Sequence, residues 1–124
     1  MRELTGHKVN PANDRLLVRV WDEPGQGGAH HDYSIVVPDG NETSTNSEYR
    51  IRFQNGPIAE FGVNGLTHEA LLAILIDRLQ CFQAGPFSCR ENAVALTNLE
   101  QAQMWLQKRT RDRMARNVEG TNAR

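Results

Sequence analysis

The hydrophobic pattern of the first 66 residues is typical of short β-strands. Runs of β-branched and aromatic residues, alternating with polar positions, predict strands at residues 16–21, 33–37 and 49–53, with a weaker fourth strand at residues 58–63. Gly, Pro and Asn are frequent in the links between these runs. Because hairpin-length links join antiparallel neighbours, we expect a small antiparallel sheet.

The pattern becomes helical after Thr67, a residue suited to an N-cap. Apolar residues then recur at helical spacing and predict one helix of about 17 residues. Its apolar positions form two stripes: Leu71, Leu75, Leu79 and Phe82, and beside them Leu72 and Ile76. One neighbouring helix does not bury both apolar stripes, so we expect part of this helix to pack against another chain.

A second helix is predicted after the break at Gly85 and Pro86. Ser88 and Glu91 have the spacing of a capping box, and no Pro or Gly follows up to about Arg116, which gives a helix of about 28 residues. We therefore expect an α+β fold in which a small N-terminal antiparallel sheet (residues 1–66) precedes an antiparallel two-helix hairpin with a long second helix (residues 67–124). At 124 residues, the chain is expected to form a single domain.

One face of the second helix changes from apolar to cationic along its length. It carries Ala95, Leu99, Ala102 and Leu106, followed by Arg109, Arg113 and Arg116. The net charge is only −1, yet residues 105–124 hold six basic and two acidic residues. Two interpretations stay open: the arginines are the solvated end of a helix, stabilised by its dipole, or they line a site for a phosphate or pyrophosphate.

The turn between the helices offers a second group of candidate residues. Phe82, Phe87 and Asn92 combine aromatic surface with an amide near a helix N-terminus, which suits a nucleobase or a phosphate. Taken singly, Phe82 is more typical of a hydrophobic core than of a ligand platform. Asn92 and Arg109 are about 25 Å apart on one helix. Because no small ligand spans that distance, a site using both needs two chains, and we expect a homo-oligomer.

Several other functions find little support in the sequence. Adjacent His30 and His31 point to opposite faces of a strand and have no third ligand, so we expect no metal site. The glycines at positions 25, 27 and 28 are not followed by Gly-Lys-Ser/Thr, which favours a hairpin loop over a phosphate-binding loop. No catalytic residue set is evident, so we expect neither an enzyme nor a cofactor.

Localisation is predicted from hydropathy and cysteine content. The longest apolar run has seven residues, too few for a membrane span, and the N-terminus lacks the apolar core of a signal peptide. Cys81 and Cys89 are expected to be free thiols in a reducing compartment. We therefore expect a cytoplasmic protein without membrane contact.

Three runs of residues carry a family resemblance: Phe-Gln-Asn-Gly-Pro-Ile at 53–58, Phe-Gln-Ala-Gly-Pro-Phe-Ser-Cys-Arg-Glu-Asn at 82–92, and Val-Glu-Gly-Thr at 118–121. They resemble the phage and prophage anti-Thoeris sponge proteins, whose helical hairpin is shared with the anti-CBASS cyclic-nucleotide sponges. One departure is Asn117, where the family pattern has Gly.

The resemblance implies a function and a set of partners. Such proteins hold cyclic ADP-ribose isomers, made by TIR-domain defence enzymes, intact in pockets between subunits of dimers or hexamers in the host cytoplasm. Some also bind cyclic di- or trinucleotides of CBASS at separate sites. The alternatives are an enzyme that hydrolyses these signals and an RNA-binding or phage structural module, although a net charge of −1 disfavours binding to a nucleic-acid polymer.

The resemblance also implies individual roles. It assigns Phe82 and Asn92 of one chain, with Arg109 and Arg113 of a neighbouring chain, to the signal pocket, and it adds Arg116 and Thr121 as further ligand-binding candidates. Arg90, at the tip of the hairpin, is the candidate for the separate cyclic-oligonucleotide site.

Overall fold

The structure of the protein is a computed structural model that describes residues 1–38, 46–116 and 120–122. The chain forms two units, Met1–Gly56 and Pro57–Arg124. The described helices include none that is long and apolar enough to cross a membrane.

The first unit is built on an antiparallel sheet of four strands, in the spatial order β1-β2-β3-β4. The strands are β1 (Arg2–Leu4), β2 (Leu17–Val20), β3 (Asp32–Val37) and β4 (Ser47–Arg52), and a short helix, α1 (Pro11–Asp14), links the first two. The three main predicted strands are confirmed to within about two residues. The sequence pattern missed β1 because a three-residue strand is too short to show alternation. The link between the predicted strands 33–37 and 49–53 lies mostly outside the described residues.

One face of this sheet is held together by polar side chains. The indole Nε1 of Trp21 donates to the hydroxyl of the fully buried Ser34 at 2.8 Å. The guanidinium of Arg50 lies 5.1 Å from the Trp21 ring centroid and donates two hydrogen bonds, of 2.6 and 2.8 Å, to the carboxylate of Asp32. These bonds hold the pKa of Asp32 below its usual value. Arg50 is therefore engaged within its own sheet.

The predicted strand at residues 58–63 is wrong, because this segment contains a short helix, α2 (Ile58–Phe61). Pro57 is its N-cap, and the Pro57 carbonyl accepts from the backbone N–H of Phe61 at 2.9 Å. Gly62 ends the helix with φ +69°, a conformation that favours glycine. The local signal was Pro at the start and Gly at the end, which outweighs the β-propensity of the apolar residues between them.

The second unit contains the predicted helical hairpin, formed by α3 (His68–Ala84) and α4 (Arg90–Ala115). Thr67 caps α3 as expected, its Oγ1 accepting from the backbone N–H of Ala70 at 3.1 Å. The predicted capping box at Ser88 is wrong: Cys89 is the N-cap of α4, and its Sγ accepts from the backbone N–H of Asn92. The side chain of Gln83 bonds to both the N–H and the carbonyl of Cys89 at 3.1 Å, which holds Cys89 at the cap.

The seam between the two helices has the same alternation of three- and four-residue steps as the predicted stripe but lies on a neighbouring face of α4. The least exposed positions of α4 are spaced by four and three residues: Asn92, Leu96, Leu99, Gln103, Leu106, Thr110 and Arg113. The prediction was correct for Leu99, Leu106 and Arg113, but Ala95, Ala102, Arg109 and Arg116 are exposed. Both sets repeat every 3.5 residues on average, so periodicity alone does not tell which of the two overlapping stripes packs against α3.

On α3, the half-buried apolar residues come from both predicted stripes: Leu71 and Leu79 from the first, and Leu72 and Ile76 from the second. Leu75 is 47% exposed, and its neighbour Ile74 is 64% exposed. The apolar surface left without cover therefore lies on Ile74 and Leu75, and not on Leu72 and Ile76.

The hairpin is antiparallel, and α4 extends well past the start of α3. Gln83 bonds to Cys89 at one end, and Gln103 Nε2 donates to the Glu69 carbonyl at 3.0 Å at the other. Gln103 bonds to Glu69, the second residue of α3, so about 12 further residues of α4 extend past the start of α3, over a length of about 18 Å. This overhang carries the arginines that the sequence singled out.

Candidate ligand-binding site

The overhang of α4 carries an open depression with a volume of about 800 Å³, which we call the arginine depression. Its lining consists of one aromatic, one small and five charged residues: Trp105, Lys108, Arg109, Asp112, Arg113, Ala115 and Arg116. These positions share one side of α4 because they follow the spacing of a helix face. The structure thus brings together three of the predicted ligand-binding residues: Arg109, Arg113 and Arg116.

The electrostatics of the arginine depression favour an anion. Four of its side chains are cationic and one is a carboxylate, so three positive charges remain in excess. Lys108 Nζ donates to Asp112 Oδ2 at 2.6 Å. That hydrogen bond, with the charges of Lys108, Arg111 and Arg116, holds the pKa of Asp112 below its usual value. Asp112 is therefore ionised at neutral pH and partly offsets the cations around it.

Arg113 differs from the other cations of the depression because its side chain is buried, with 6% exposed. Its Nη2 donates to the backbone carbonyl of Thr121 at 2.9 Å. Thr121 is itself exposed and does not line the arginine depression. The structure therefore connects these two predicted residues through the Thr121 backbone.

A second depression lies at the turn of the hairpin, with a volume of about 540 Å³, and we call it the aromatic tip. It is lined by Ile74, Asp77, Arg78, Cys81, Phe82, Gly85, Pro86 and Phe87. The guanidinium of Arg78 lies 5.0 Å from the centroid of the Phe82 ring. Phe82 and Phe87 are 36% and 74% exposed, so both rings are accessible from the surface rather than packed in a core.

The remaining predicted site residues lie near the aromatic tip but do not line it. Asn92 is half-buried at the first position of the helix seam. Arg90 is the exposed first residue of α4. Within one chain, the tip and the arginine depression occupy opposite ends of α4, about 25 Å apart from Asn92 to Arg109. The structure therefore does not bring all predicted site residues together in a single chain.

Sequence reasoning missed several residues of these depressions, among them Trp105, Lys108 and Arg78. Trp105 is 70% exposed and, with Lys108, shares the helix face of Arg109; the spacing of three and four residues was the available signal. Arg78 stands four residues before Phe82, the spacing at which a cation reaches an aromatic ring on a helix.

The His30–His31 pair serves the structure of its loop. The Asp22 carboxylate accepts from the backbone N–H groups of His31 and Asp32 at 2.8 and 3.2 Å, and His30 Nδ1 lies 2.7 Å from the Asp22 carbonyl oxygen. In the part of the chain that the structure describes, no group of three or more His, Cys, Asp or Glu side chains is arranged to hold a metal ion. Both cysteines are free and exposed.

Comparison with known proteins places the hairpin in a family. Residues 46–111 match the family model of the Acb2/Tad1 hairpin domain. Over 72 residues the chain is 56% identical to "Thoeris anti-defense 1" of Bacillus phage SBSphiJ7, an alignment that covers 58% of this chain and 51% of that protein. The chain thus spans about half the length of this curated relative. These matches confirm the resemblance to anti-Thoeris proteins, and because the family model covers more than half of the chain, this protein belongs to the Acb2/Tad1 hairpin family.

Proposed function

We propose that this protein is a phage anti-defence protein that binds cyclic ADP-ribose-type signals of TIR-domain enzymes and holds them without degrading them. The observation that carries the proposal is the arginine depression, in which three excess positive charges lie beside an exposed Trp105. A cyclic ADP-ribose carries a pyrophosphate and an adenine. Guanidinium groups bind the first by charge-assisted hydrogen bonds, and an aromatic ring stacks on the second.

The relative's name supports an anti-defence role, because "Thoeris anti-defense 1" is named for counteracting a defence system. The family model, over residues 46–111, covers most of the hairpin that carries both depressions. A protein that removes a signal by capture needs a binding site and no catalytic group. Capture is therefore the simplest chemistry for a cationic depression with an aromatic rim.

We propose further that each pocket is shared between two chains. The aromatic tip of one chain supplies Phe82, with Asn92 close by. The arginine depression of a neighbouring chain supplies Arg109, Arg113 and Arg116, and Thr121 lies next to Arg113 of that chain. This arrangement follows from the separation of about 25 Å within one chain. Exposed apolar side chains near both ends, including Ile74, Phe87 and Trp105, provide surface for the contact between chains.

Subunit complementation tests the shared pocket. We expect Phe82→Ala and Arg109→Ala chains each to lose capture, and we expect their co-expressed mixture to regain about one quarter of the wild-type sites if the chains pair at random in symmetric dimers. The reason is that a mixed dimer combines Phe82 of one chain with Arg109 of the other. Light scattering on the same samples should give a molar mass above that of the 14.0 kDa chain.

A mixture that regains no capture, although the two chains are shown to co-purify, would contradict a pocket made by two chains. A wild-type molar mass near 14.0 kDa would do the same.

Arg90 is proposed as part of a separate site for cyclic oligonucleotides. It is exposed and lines neither the arginine depression nor the aromatic tip. The two sites should therefore be separable: Arg90→Ala is expected to leave capture of cyclic ADP-ribose unchanged, and Arg109→Ala to leave binding of cyclic trinucleotides unchanged.

A further inference from the structure

The segment that follows α4 bridges two helices of the second unit through consecutive backbone carbonyls. The Gly120 carbonyl accepts from the backbone N–H of Ala59, in the first turn of α2, at 2.9 Å. The next carbonyl, that of Thr121, accepts from Arg113 Nη2 on α4 at 2.9 Å. We call these four residues the clasp: Ala59, Arg113, Gly120 and Thr121.

Each contact of the clasp satisfies a specific requirement. The N–H groups in the first turn of a helix have no partner within that helix, and Gly120 provides one for Ala59. Arg113 is 6% exposed, and burying a guanidinium is costly unless it is hydrogen-bonded. Gly120 has φ +80°, a conformation that residues with a side chain rarely adopt.

Arg113 also lines the arginine depression, so it belongs to the clasp and to the proposed ligand site at once. A guanidinium is a rigid planar group, and a hydrogen bond on one of its nitrogens restricts the direction of all its other N–H groups. The position of the Thr121 carbonyl therefore affects how Arg113 presents its charge.

From these contacts we propose that Ala59 and Gly120 are positioning residues for the ligand site: by holding the Gly120–Thr121 backbone in place, they fix the guanidinium of Arg113 at the wall of the arginine depression. This inference rests on the proposed function and adds to it two residues that carry no charge and line neither the arginine depression nor the aromatic tip.

A matched pair of glycine substitutions tests the proposal. Gly120 and Gly28 both have φ +80°, and a Cβ at either position meets no atom closer than 3.7 Å. Gly120→Ala and Gly28→Ala therefore introduce a similar backbone strain without a clash, and neither removes a charge. We expect Gly120→Ala to weaken capture of cyclic ADP-ribose by about five- to tenfold, the size expected from the cost of a left-handed alanine, and Gly28→Ala to change it less than about twofold.

Hydrogen exchange supplies a measurement that needs no ligand. The Ala59 amide should exchange faster in Gly120→Ala and also in Arg113→Gln, because each substitution loosens the Gly120–Thr121 backbone to which the Ala59 N–H bonds. Gly28→Ala should leave it unchanged. Unaltered Ala59 exchange in Arg113→Gln, or wild-type capture by Gly120→Ala, would overturn the proposal. If the wild-type protein captures no signal, the proposed function fails, and the exchange of Ala59 still decides whether the clasp exists.

Discussion

At the scale of single residues, position on the helix decides what each arginine of α4 can do. Arg109 and Arg116 are exposed and line the arginine depression, Arg113 is buried and bonded to the Thr121 carbonyl, and Arg111 is exposed without lining the depression. The same residue type thus occurs in three environments within about two helical turns.

The contrast between Arg109 and Arg111 yields a matched test of the site. Arg109→Ala removes a cation from the depression and is expected to weaken capture tenfold or more, as loss of a charge-assisted hydrogen bond does. Arg111→Ala removes the same charge from the same helix and is expected to weaken capture less than about twofold by long-range electrostatics. Titration calorimetry measures both, and thermal melting should show little change in either variant because both side chains are exposed.

Equal losses in the two variants would indicate attraction by net charge alone. Unchanged affinity in Arg109→Ala would mean that the arginines are only the solvated end of a helix.

Asp112 is the one acidic residue of the arginine depression, and its replacement should have the opposite effect. Asp112→Asn removes the negative charge and releases Lys108 from its ion pair, so affinity for a pyrophosphate ligand is expected to rise about two- to fivefold. Because the pKa of Asp112 is lowered from 3.8, its charge persists as pH falls until that lower pKa is reached. Wild-type affinity should therefore stay constant between about pH 5 and pH 8. Weaker binding by Asp112→Asn would show that Asp112 orients Lys108 toward the ligand.

At the scale of elements, the sequence predicted what depends on local signals. Thr67 and the Gly85-Pro86 break marked both ends of α3 correctly, and three strands followed from alternation. The prediction of a strand at 58–63 was wrong because a four-residue helix is shorter than the stretch of sequence over which helical periodicity can be recognised. The capping residue of α4 failed because it depends on Gln83, a residue of the other helix that sequence spacing does not connect to Cys89.

The seam of the hairpin shows a second feature that the sequence pattern does not predict. Helical periodicity identifies the apolar positions of a helix, but choosing between two adjacent stripes requires knowing where the partner lies. The first predicted stripe therefore included Leu75, which is exposed, whereas Leu72 and Ile76 of the second stripe are half-buried. Because the sequence does not show which face of α4 forms the depression, it identified the arginines of the depression but not Trp105 or Lys108.

The link between Gln83 and Cys89 should stabilise the hairpin turn. Gln83→Ala removes two hydrogen bonds and is expected to lower the free energy of unfolding by about 1–2 kcal/mol, the sum of two typical net contributions. Gln80→Ala, at an exposed position one turn earlier on the same helix, is expected to change it by less than about 0.5 kcal/mol. Chemical denaturation at one protomer concentration measures both. A loss as large in Gln80→Ala would contradict a specific stabilising role for the link between Gln83 and Cys89.

At the scale of the whole molecule, the hairpin places the aromatic tip and the arginine depression at opposite ends of α4. Both depressions lie on the hairpin that the Acb2/Tad1 family model matches over residues 46–111. A monomer would leave the aromatic tip and the arginine depression as two partial sites. Paired chains can bring both groups to one small anionic nucleotide, which is why assembly and capture are proposed as a single property.

Release of the captured compound tests the proposed function most directly. Purified protein is incubated with a glycocyclic ADP-ribose, freed of unbound compound by gel filtration, denatured by heat, and the supernatant is analysed by mass spectrometry. We expect about one molecule of intact cyclic compound per protomer, as symmetric shared pockets require, and a much smaller amount from the Arg109→Ala variant. Release of linear ADP-ribose would identify a hydrolase, and an empty supernatant would contradict capture of this class of signal.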